Sequence, residues 1–342
     1  MMNLVCVGAC YLDTIIRQAL PPPPNPRRVP HYPEEDSKLR ATRLQVRRGG
    51  NCPNTLEVLQ QLLQLRREQD GRGVVRPYLV SCLPSPESPA VTRIIDSFGA
   101  DTAVDLSRCI YRLGSTEPAS CYVLRSEASG SRTLVNHSDL PKMTTDEFAT
   151  AVDGLGDDDT WFHFEGRIPE TTLQCIQSLR RSNSRVRGVS VEIEKPGRDG
   201  LEDLAAEADV VFYSRSWAES KHYETAQQCV RAQSGLARRA SHLLCTWGSE
   251  GAACLFVPSG NTVSCPATHP GQATRVVDTV GAGDTFVAGM LFGLLCHGED
   301  WDVETKVRFA VQLATCKVQR EGFDGVGADV LSCFDVASAT QR

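Results

Sequence analysis

The sequence predicts an α/β fold in which a mostly parallel β-sheet carries helices on both faces. Short apolar segments alternate with helix-length segments from residue 161 onward, and strands separated by helices form parallel sheets. The predicted strands are 161–164, 186–194, 210–213 and 243–247, and the predicted helices are 170–181, 201–207 and 218–239. Residues 252–265, which turn at 258–260, are expected to form a hairpin at one edge of the sheet.

The N-terminal part begins with a buried strand at residues 3–8 and continues into a proline-rich loop at 21–26. A helix is predicted to follow Asn51, which can cap it, with Pro53 in its first turn. Its core-facing stripe is formed by Leu56, Leu59, Leu62 and Leu63, and its end is marked by Gly71 and Gly73. Three short β segments at 109–112, 119–125 and 132–137 then predict an inserted sheet.

Composition favours a small-molecule partner over a polymer or a membrane. The chain has 342 residues and a net charge of −6, which argues against capture of nucleic acid or of an anionic bilayer. Its 14 cysteines show no metal-site spacing and are expected to be reduced. No signal peptide and no apolar run of membrane length is evident, so we expect a cytoplasmic protein with no nucleic-acid or membrane partner.

The segment DTVGAGDTF at 278–286 is the most informative motif. Gly281, Ala282 and Gly283 precede an apolar helix, and backbone N–H groups at such a helix start can bind a phosphate. Asp284 would repel that anion unless it contributes chemistry such as accepting a proton. A plain helix cap at Asp284 is the alternative interpretation.

Four residues nearer the N-terminus have the chemistry of a polyol site. Asp13 follows the first strand, where open α/β sheets place ligand groups, and its carboxylate can accept hydroxyl hydrogen bonds. Gly50 permits close backbone approach, and Asn51 and Asn54 can both donate and accept. A turn aspartate and a helix-capping asparagine are the simpler alternatives.

A strand at 189–194 carries Ser190, Glu192 and Glu194 on one face. Carboxylates at a strand end near phosphates are candidates for holding Mg²⁺ through water, and a solvated strand end is the alternative. His163 lies between two phenylalanines and is expected to be structural rather than catalytic.

The segment RVVDTVGAGDTFVAGMLFGL at 275–294 resembles the C-terminal motif of ribokinase-like sugar kinases, also called the phosphofructokinase B family. The likeness is greatest to the ketohexokinase group and runs almost end to end. It includes CVGACYLDTI near Asp13, RRGGNCPNT at 47–55, HFEGR at 163–167, VSVEIEKP at 189–196 and LCTWGSEGA at 244–252.

This resemblance implies a ribokinase-like three-layer fold. It has an α/β core at 1–17, 49–108 and 139–342, and a small β lid at 18–48 and 109–138. It also implies an ATP-dependent kinase that phosphorylates a ketohexose, with fructose 1-phosphate as the expected product. Asp13, Gly50, Asn51 and Asn54 would contact the sugar. Asp36 would reach the partner's site in a homodimer joined through the lid.

The resemblance further implies that Gly248, Ser249, Glu250 and Gly251 bind ATP, with Arg132 on its phosphates. A hairpin turn and a solvated arginine are the alternatives at these positions. The cofactors implied are ATP and Mg²⁺, and a role for K⁺ stays open. The chain departs from the ketohexokinase pattern at Gly248 and Ser249, and the broader family's NxxE magnesium motif has no counterpart at 214–217.

Two other functions remain open on the sequence alone. One is a kinase of the same fold that acts on a ribose-like sugar, a nucleoside or another polyol. The other is a catalytically silent sensor of sugar or nucleotide, which the presence of Asp284 disfavours.

Overall fold

The protein is described by a computed structural model covering residues 1–18, 36, 41, 43–71, 75–126, 132–156, 158–182, 185–268 and 275–339. The strands are β1 (Met2–Val7), β2 (Tyr11–Gln18), β3 (Arg43–Gly49), β4 (Val75–Val80), β5 (Cys82–Pro84), β6 (Ile110–Arg112), β7 (Ala119–Ser126), β8 (Arg132–His137), β9 (Asp159–Glu165), β10 (Val186–Ile193), β11 (Val210–Tyr213), β12 (His242–Thr246), β13 (Ala252–Phe256) and β14 (Asn261–Cys265). The helices are α1 (Asn51–Asp70), α2 (Pro89–Asp96), α3 (Thr145–Val152), α4 (Pro169–Ser182), α5 (Leu201–Glu207), α6 (Arg215–Ser220), α7 (Ala226–Gln233), α8 (Ala282–Cys296), α9 (Val303–Val318) and α10 (Val326–Ala339).

The central sheet has the order β14-β13-β12-β11-β10-β9-β1-β4. Its strands from β12 to β4 run parallel, while β13 and β14 add an antiparallel hairpin at one edge. The predicted α/β fold with a mostly parallel sheet is therefore confirmed. Because the carboxyl ends of parallel strands meet at one edge, ligand groups that follow these strands are brought together there.

Helices cover both faces of this sheet and create two separate cores. Leu4 and Cys6 of β1 are buried with side chains of α1, α8, α9 and α10. Val5 and Val7, which point the opposite way, are buried with side chains of α3 to α7. This period-2 alternation produces a three-layer architecture from one apolar strand.

A second, smaller sheet has the order β3-β2-β7-β8 among the described residues. Its strand β2 contains residues 11–17, which the predicted boundaries assign to the core. Residues 110–112 pair with β5 in a separate two-stranded sheet, so the first β segment of the predicted insert lies outside the small sheet. The division into core and lid stays a prediction, and the proline-rich loop at 21–26 falls outside the described residues.

The predicted helix at 218–239 is wrong, because the structure has two shorter helices there. The side chains of Ser214 and Thr225 accept hydrogen bonds from the third residue of α6 and α7, respectively. Each hydroxyl thereby caps its own helix, and His222 between them has a positive φ of 65°.

The helix after Asn51 is confirmed, but Asn51 does not cap it. The N-cap is Gly50, and no side chain makes a capping hydrogen bond. Gly71 ends α1 in a left-handed conformation, whereas Gly73 lies outside the described residues.

The cysteines and the helix lengths bear on two predictions made from composition. No disulfide joins the cysteines of the described chain, as expected. Within that part, every helix is too short or too polar to traverse a lipid bilayer.

Candidate active site

The loop that leads into α8 is shaped by a close contact with an aromatic ring. Gly281 has a φ of 78° and is the N-cap of α8. A side chain there would overlap the ring of Phe323, so the position requires glycine. The first turn of α8 contains Gly283, which is exposed, and N–H groups in such a turn lack helical partners and can bind an anion.

The loop before α8 is held in place by a cluster of charged side chains centred on Asp278. Its carboxylate lies 3.1 Å from Lys317 Nζ and 3.2 Å from Arg47 Nη1, and it accepts a hydrogen bond from the Val280 N–H. Burial raises the pKa of Asp278, but the lysine and the N–H outweigh that effect and leave the pKa below its ordinary value. The ionised carboxylate therefore fixes the start of the glycine-rich loop.

Asp284 is in the first turn of α8, and its side chain makes no capping hydrogen bond. Its Oδ2 accepts a 2.7 Å hydrogen bond from Asn54 Nδ2, and its main-chain oxygen accepts one from Thr55. Burial, followed by the charge of Glu192, raises the pKa of Asp284 well above its ordinary value. Asp284 therefore does not cap the helix through a hydrogen bond, although it lies in the first turn, where a negative charge interacts favourably with the helix dipole. The raised pKa makes this carboxylate a stronger base than an ordinary aspartate.

The amide of Asn54 is oriented by Arg48, a residue that sequence reasoning missed. Arg48 Nη1 lies 3.4 Å from Asn54 Oδ1, so the Nδ2 end of this amide faces Asp284. The guanidinium also bonds Ser97 and Glu57 and lies 4.2 Å from the centroid of the Phe98 ring. The sequence could have indicated that Arg48 lies at the site, because it directly precedes Gly49 and Gly50.

Asp13 on β2 is placed beside Arg47 and Arg48 by strand pairing with β3. Burial raises its pKa to about 6, and these two arginines reduce the effect without cancelling it. A side chain at Gly49 would overlap this carboxylate, and one at Gly50, whose φ is 106°, would overlap the Ala9 carbonyl oxygen. Gly49 therefore lets the backbone approach the acid, and Gly50 lets the start of α1 pack against the loop after β1.

Asn51 links α1 to the acidic end of β10. Its Nδ2 donates to Glu192 Oε2 at 2.7 Å and to Glu194 Oε2 at 3.0 Å. Glu192 also contacts His163 Nε2 at 2.9 Å. His163 is fully buried, and burial lowers its pKa to about 3, so it is neutral and structural, as predicted.

These groups surround one cavity of about 350 Å³. Its wall includes the predicted residues Asp13, Gly50, Asn51, Asn54, Glu192, Glu194, Gly281, Ala282, Gly283 and Asp284. Residues that sequence reasoning missed also line it, among them Thr246, Thr279 and Leu134.

A second cavity of about 590 Å³ lies next to the first. Predicted nucleotide residues Gly248, Ser249 and Gly251 line it, and apolar side chains of α9, which sequence reasoning missed, form another wall. Both cavities include Ala282 and Gly283 in their linings. The glycine-rich helix start therefore stands between a polar chamber and a more apolar one.

Three predicted site residues are not placed in these cavities. Glu250 is exposed in a short 3₁₀ turn and is absent from the lining of the second cavity. Asp36 is exposed with a φ of 60°, and neither lining includes it. The side chain of Arg132 lies outside the described residues.

Comparison with known proteins identifies the family of this chain. A model of the pfkB family of carbohydrate kinases matches residues 1–325. The chain belongs to the pfkB family of carbohydrate kinases. It is 31% identical to mouse ketohexokinase over 95% of this chain and 98% of that protein. It is also 30% identical to a fructokinase of Rhizobium leguminosarum bv. trifolii, over 51% of this chain and 50% of that protein.

Solved structures confirm the ribokinase-like fold of this carbohydrate kinase. Arabidopsis thaliana ribokinase complexed with ribose and ATP aligns with a TM-score of 0.70 at 19% identity, covering 97% of this chain and 98% of that one. Giardia lamblia ribokinase aligns with a TM-score of 0.72 at 16% identity, covering 97% and 99%. Family membership implies a sugar and ATP as ligands, and generally Mg²⁺.

The donor set of the polar chamber fits a hydrated Mg²⁺. Glu194 is half-buried and lines the cavity together with Glu192, and carboxylate oxygens suit this cation. Lys195 Nζ lies 2.7 Å from Glu194 Oε1, so part of that charge is already neutralised. Such a site would hold the ion through water molecules.

We expect Gly281→Ala to destabilise the carbohydrate kinase by about 1–3 kcal/mol, because the methyl group meets the Phe323 ring at a positive φ. Gly283→Ala is the matched control, since nothing lies within 4 Å of its added methyl group. Urea unfolding of both variants measures the difference. Equal loss of stability in the two variants would contradict the packing assigned to the loop.

Proposed function

We propose that the protein is a ketohexokinase that transfers the γ-phosphoryl group of ATP to O1 of fructose. The observation that carries this proposal is the position of Asp284. This carboxylate lines the polar chamber and belongs to the same helix start that borders the nucleotide-sized cavity. The similarity to mouse ketohexokinase over nearly the whole chain supports the ketohexose as acceptor.

In this mechanism the sugar occupies the chamber of Asp13, Asn51 and Asn54. Carboxylate and amide oxygens can accept hydrogen bonds from sugar hydroxyls there, and the Asn54 amide can also donate its second N–H. Both N–H groups of Asn51 are used by Glu192 and Glu194, so Asn51 offers its oxygen. Glu192 and Arg48 hold the two amides in place from behind. The reacting hydroxyl is directed towards Asp284.

The transfer step is a displacement at phosphorus. Asp284 accepts the proton of the sugar hydroxyl as the new O–P bond forms and the bond to the ADP oxygen breaks. The N–H groups of residues 281–283 stabilise charge on the phosphoryl oxygens, since catalysis of this reaction depends chiefly on alignment and electrostatics. Mg²⁺, when bound, neutralises phosphate charge.

ATP is proposed to occupy the larger cavity. Gly251 has a φ of 87°, and a side chain there would overlap the Cys265 carbonyl oxygen, so the turn after β12 stays close to β14. Gly248 and Ser249 line the cavity beside this turn. The apolar wall formed by Val311, Ala314 and Val318 suits the flat face of a nucleobase.

Several further features remain predictions. These are a homodimer joined through the small sheet, contact of Asp36 and Arg132 with ligands, a K⁺ requirement and a cytoplasmic location.

We expect Asp284→Asn to lower kcat by about 10²–10⁴-fold while sugar and nucleotide still bind, because an amide cannot accept the hydroxyl proton. ADP formation is measured over a panel of fructose, other ketoses, ribose, nucleosides and polyols, with Asp101→Asn, an exposed acid, as control. NMR of the product locates the phosphate. Comparable turnover in Asp284→Asn refutes the assigned base.

The same panel separates the alternatives. A clear preference for ribose, a nucleoside or another polyol would show that this compound, and not a ketohexose, is the acceptor. Binding of ligands without turnover of any compound would show that the protein is a sensor and not an enzyme.

Replacing the two amides should have different kinetic effects. Asn51→Ala should raise KM for the sugar by about tenfold with a smaller change in kcat, which corresponds to loss of one hydrogen bond to a ligand. Asn54→Ala should lower kcat as well, because Asn54 also holds Asp284. Steady-state kinetics with saturating ATP measure both. Unchanged sugar KM in Asn51→Ala contradicts the assigned pocket.

Sugar affinity should fall in mild acid. Asp13 has a pKa of about 6, and its protonated form loses an acceptor for sugar hydroxyls. KM for the sugar should therefore rise as the pH falls through about 6, with kcat measured separately at each pH. Asp13→Asn should have a high KM with little dependence on pH in this range.

A stability measurement provides an independent check of that pKa. A carboxyl whose folded pKa is raised is held more favourably when protonated, so its ionisation disfavours the folded state as the pH rises through about 6. Asp13→Asn should accordingly gain stability over the parent protein at pH 8 relative to pH 5. The same stability difference at both pH values would show that Asp13 is ionised throughout this range and would contradict the raised pKa.

A further inference from the structure

A group of metal-binding side chains lies behind the amides of the polar chamber. The ligand atoms of Cys52, His163 and Glu192 lie within 4.8 Å of one another. Cys52 and His163 are fully buried, and Glu192 is 5% exposed. The group combines a thiol, an imidazole and a carboxylate, which is the ligand chemistry of Zn²⁺ rather than of Mg²⁺.

The imidazole is held in a fixed orientation. His163 Nδ1 lies 2.9 Å from Ser190 Oγ, and that oxygen also accepts a 3.0 Å hydrogen bond from Trp161 Nε1. The other ring nitrogen, Nε2, consequently faces Glu192 Oε1. Metal-bound histidines are usually anchored in this way through the nitrogen that does not bind the ion.

The thiol packs against a glycine. A Cβ atom built on Gly8 would lie 2.7 Å from Cys52 Sγ and 2.9 Å from Glu165 Oε2. These two atoms therefore occupy the space that a side chain at residue 8 would need. Glu192 also lines the polar chamber, so an ion has a route to the group from the cavity.

A divalent ion would replace a proton in this group. Zn²⁺ binds cysteine as the thiolate, so the Cys52 proton leaves when the metal enters. The positive ion then compensates the negative charges of the thiolate and the carboxylate, which would be costly if they were buried alone.

We propose that Cys52, His163 and Glu192 form a buried Zn²⁺ site, with water as the fourth ligand. Binding forms one Zn–S, one Zn–N and one Zn–O bond to these residues and releases the thiol proton to solvent, because zinc binds cysteine as the thiolate. The site shares Glu192 with the proposed Mg²⁺ position, which adds Glu194 on the chamber side.

Occupation of this site is coupled to the sugar chamber. Cys52 directly follows Asn51, and Glu192 accepts the Asn51 hydrogen bond through its second oxygen. A metal that draws Glu192 and Cys52 together reorients this amide. Zn²⁺ is therefore an inhibitor that raises KM for the sugar.

Cobalt binding tests the site without any substrate, so its outcome does not depend on the proposed function. Co²⁺ added to the whole protein should give a thiolate-to-cobalt absorption band that saturates at one ion per chain, and Zn²⁺ should abolish it. Competition with a chromophoric chelator measures affinity for Zn²⁺. Proton release in weakly buffered solution should be at least about one per ion, because the thiol binds as the thiolate.

Cys52→Ser should lose the band and weaken Zn²⁺ binding at least 100-fold. Cys254→Ser, which changes another fully buried thiol, is the matched control and should retain both. Thermal melting tests whether each variant is folded. If Cys52→Ser does not fold, Cys52→Ala or His163→Gln is used in its place. A missing band in the parent protein, or a band that survives loss of Cys52, overturns the proposal.

Inhibition provides the second measurement. With Mg·ATP saturating, Zn²⁺ should raise sugar KM in the parent protein and in Cys254→Ser but not in Cys52→Ser. Equal inhibition of all three proteins would place the inhibitory ion elsewhere and refute the coupling.

Discussion

The hydrogen bond between Asn54 and Asp284 joins the first turns of α1 and α8, and the polar chamber depends on it. Asn54 Nδ2 and Asp284 Oδ2 are 2.7 Å apart, although the residues are separated by 230 positions in the sequence. Arg48 fixes which end of the amide faces the acid. The bond occupies one carboxylate oxygen and leaves the other for a ligand hydroxyl.

An accumulation of acids around this bond determines the electrostatics of the site. Glu192, Glu194 and Glu165 all act to raise the pKa of Asp284, in addition to the effect of burial. Like charges held together in a poorly solvated place favour protonation. The same field would repel phosphate, which explains why a nucleotide here needs a cation and the N–H groups of a helix start.

Much of this arrangement could be predicted from short sequence patterns. Alternating strands and helices identify the parallel sheet, and DTVGAGD identifies the reactive helix start, because both depend on neighbouring residues. The capping role considered for Asn51 was wrong, since its amide bonds two glutamates that lie 141 and 143 positions away. The Asp278–Lys317 pair was missed for a similar reason, because 39 positions separate the two residues. Arg48 was missed although Asn54 is only six positions away, because their contact depends on the turn between β3 and α1. The helix at 218–239 failed locally, because the caps Ser214 and Thr225 and the positive φ of His222 divide the segment into two helices.

The partition formed by Ala282 and Gly283 has a thermodynamic consequence. It is common to both chambers, so a molecule that tightens it from one side alters the surface offered on the other. Linkage then requires that acceptor and donor change each other's affinity by the same factor, whichever arrives first. Thr246, Thr279 and Phe286 also line both cavities, so any such coupling would pass through one continuous shared surface.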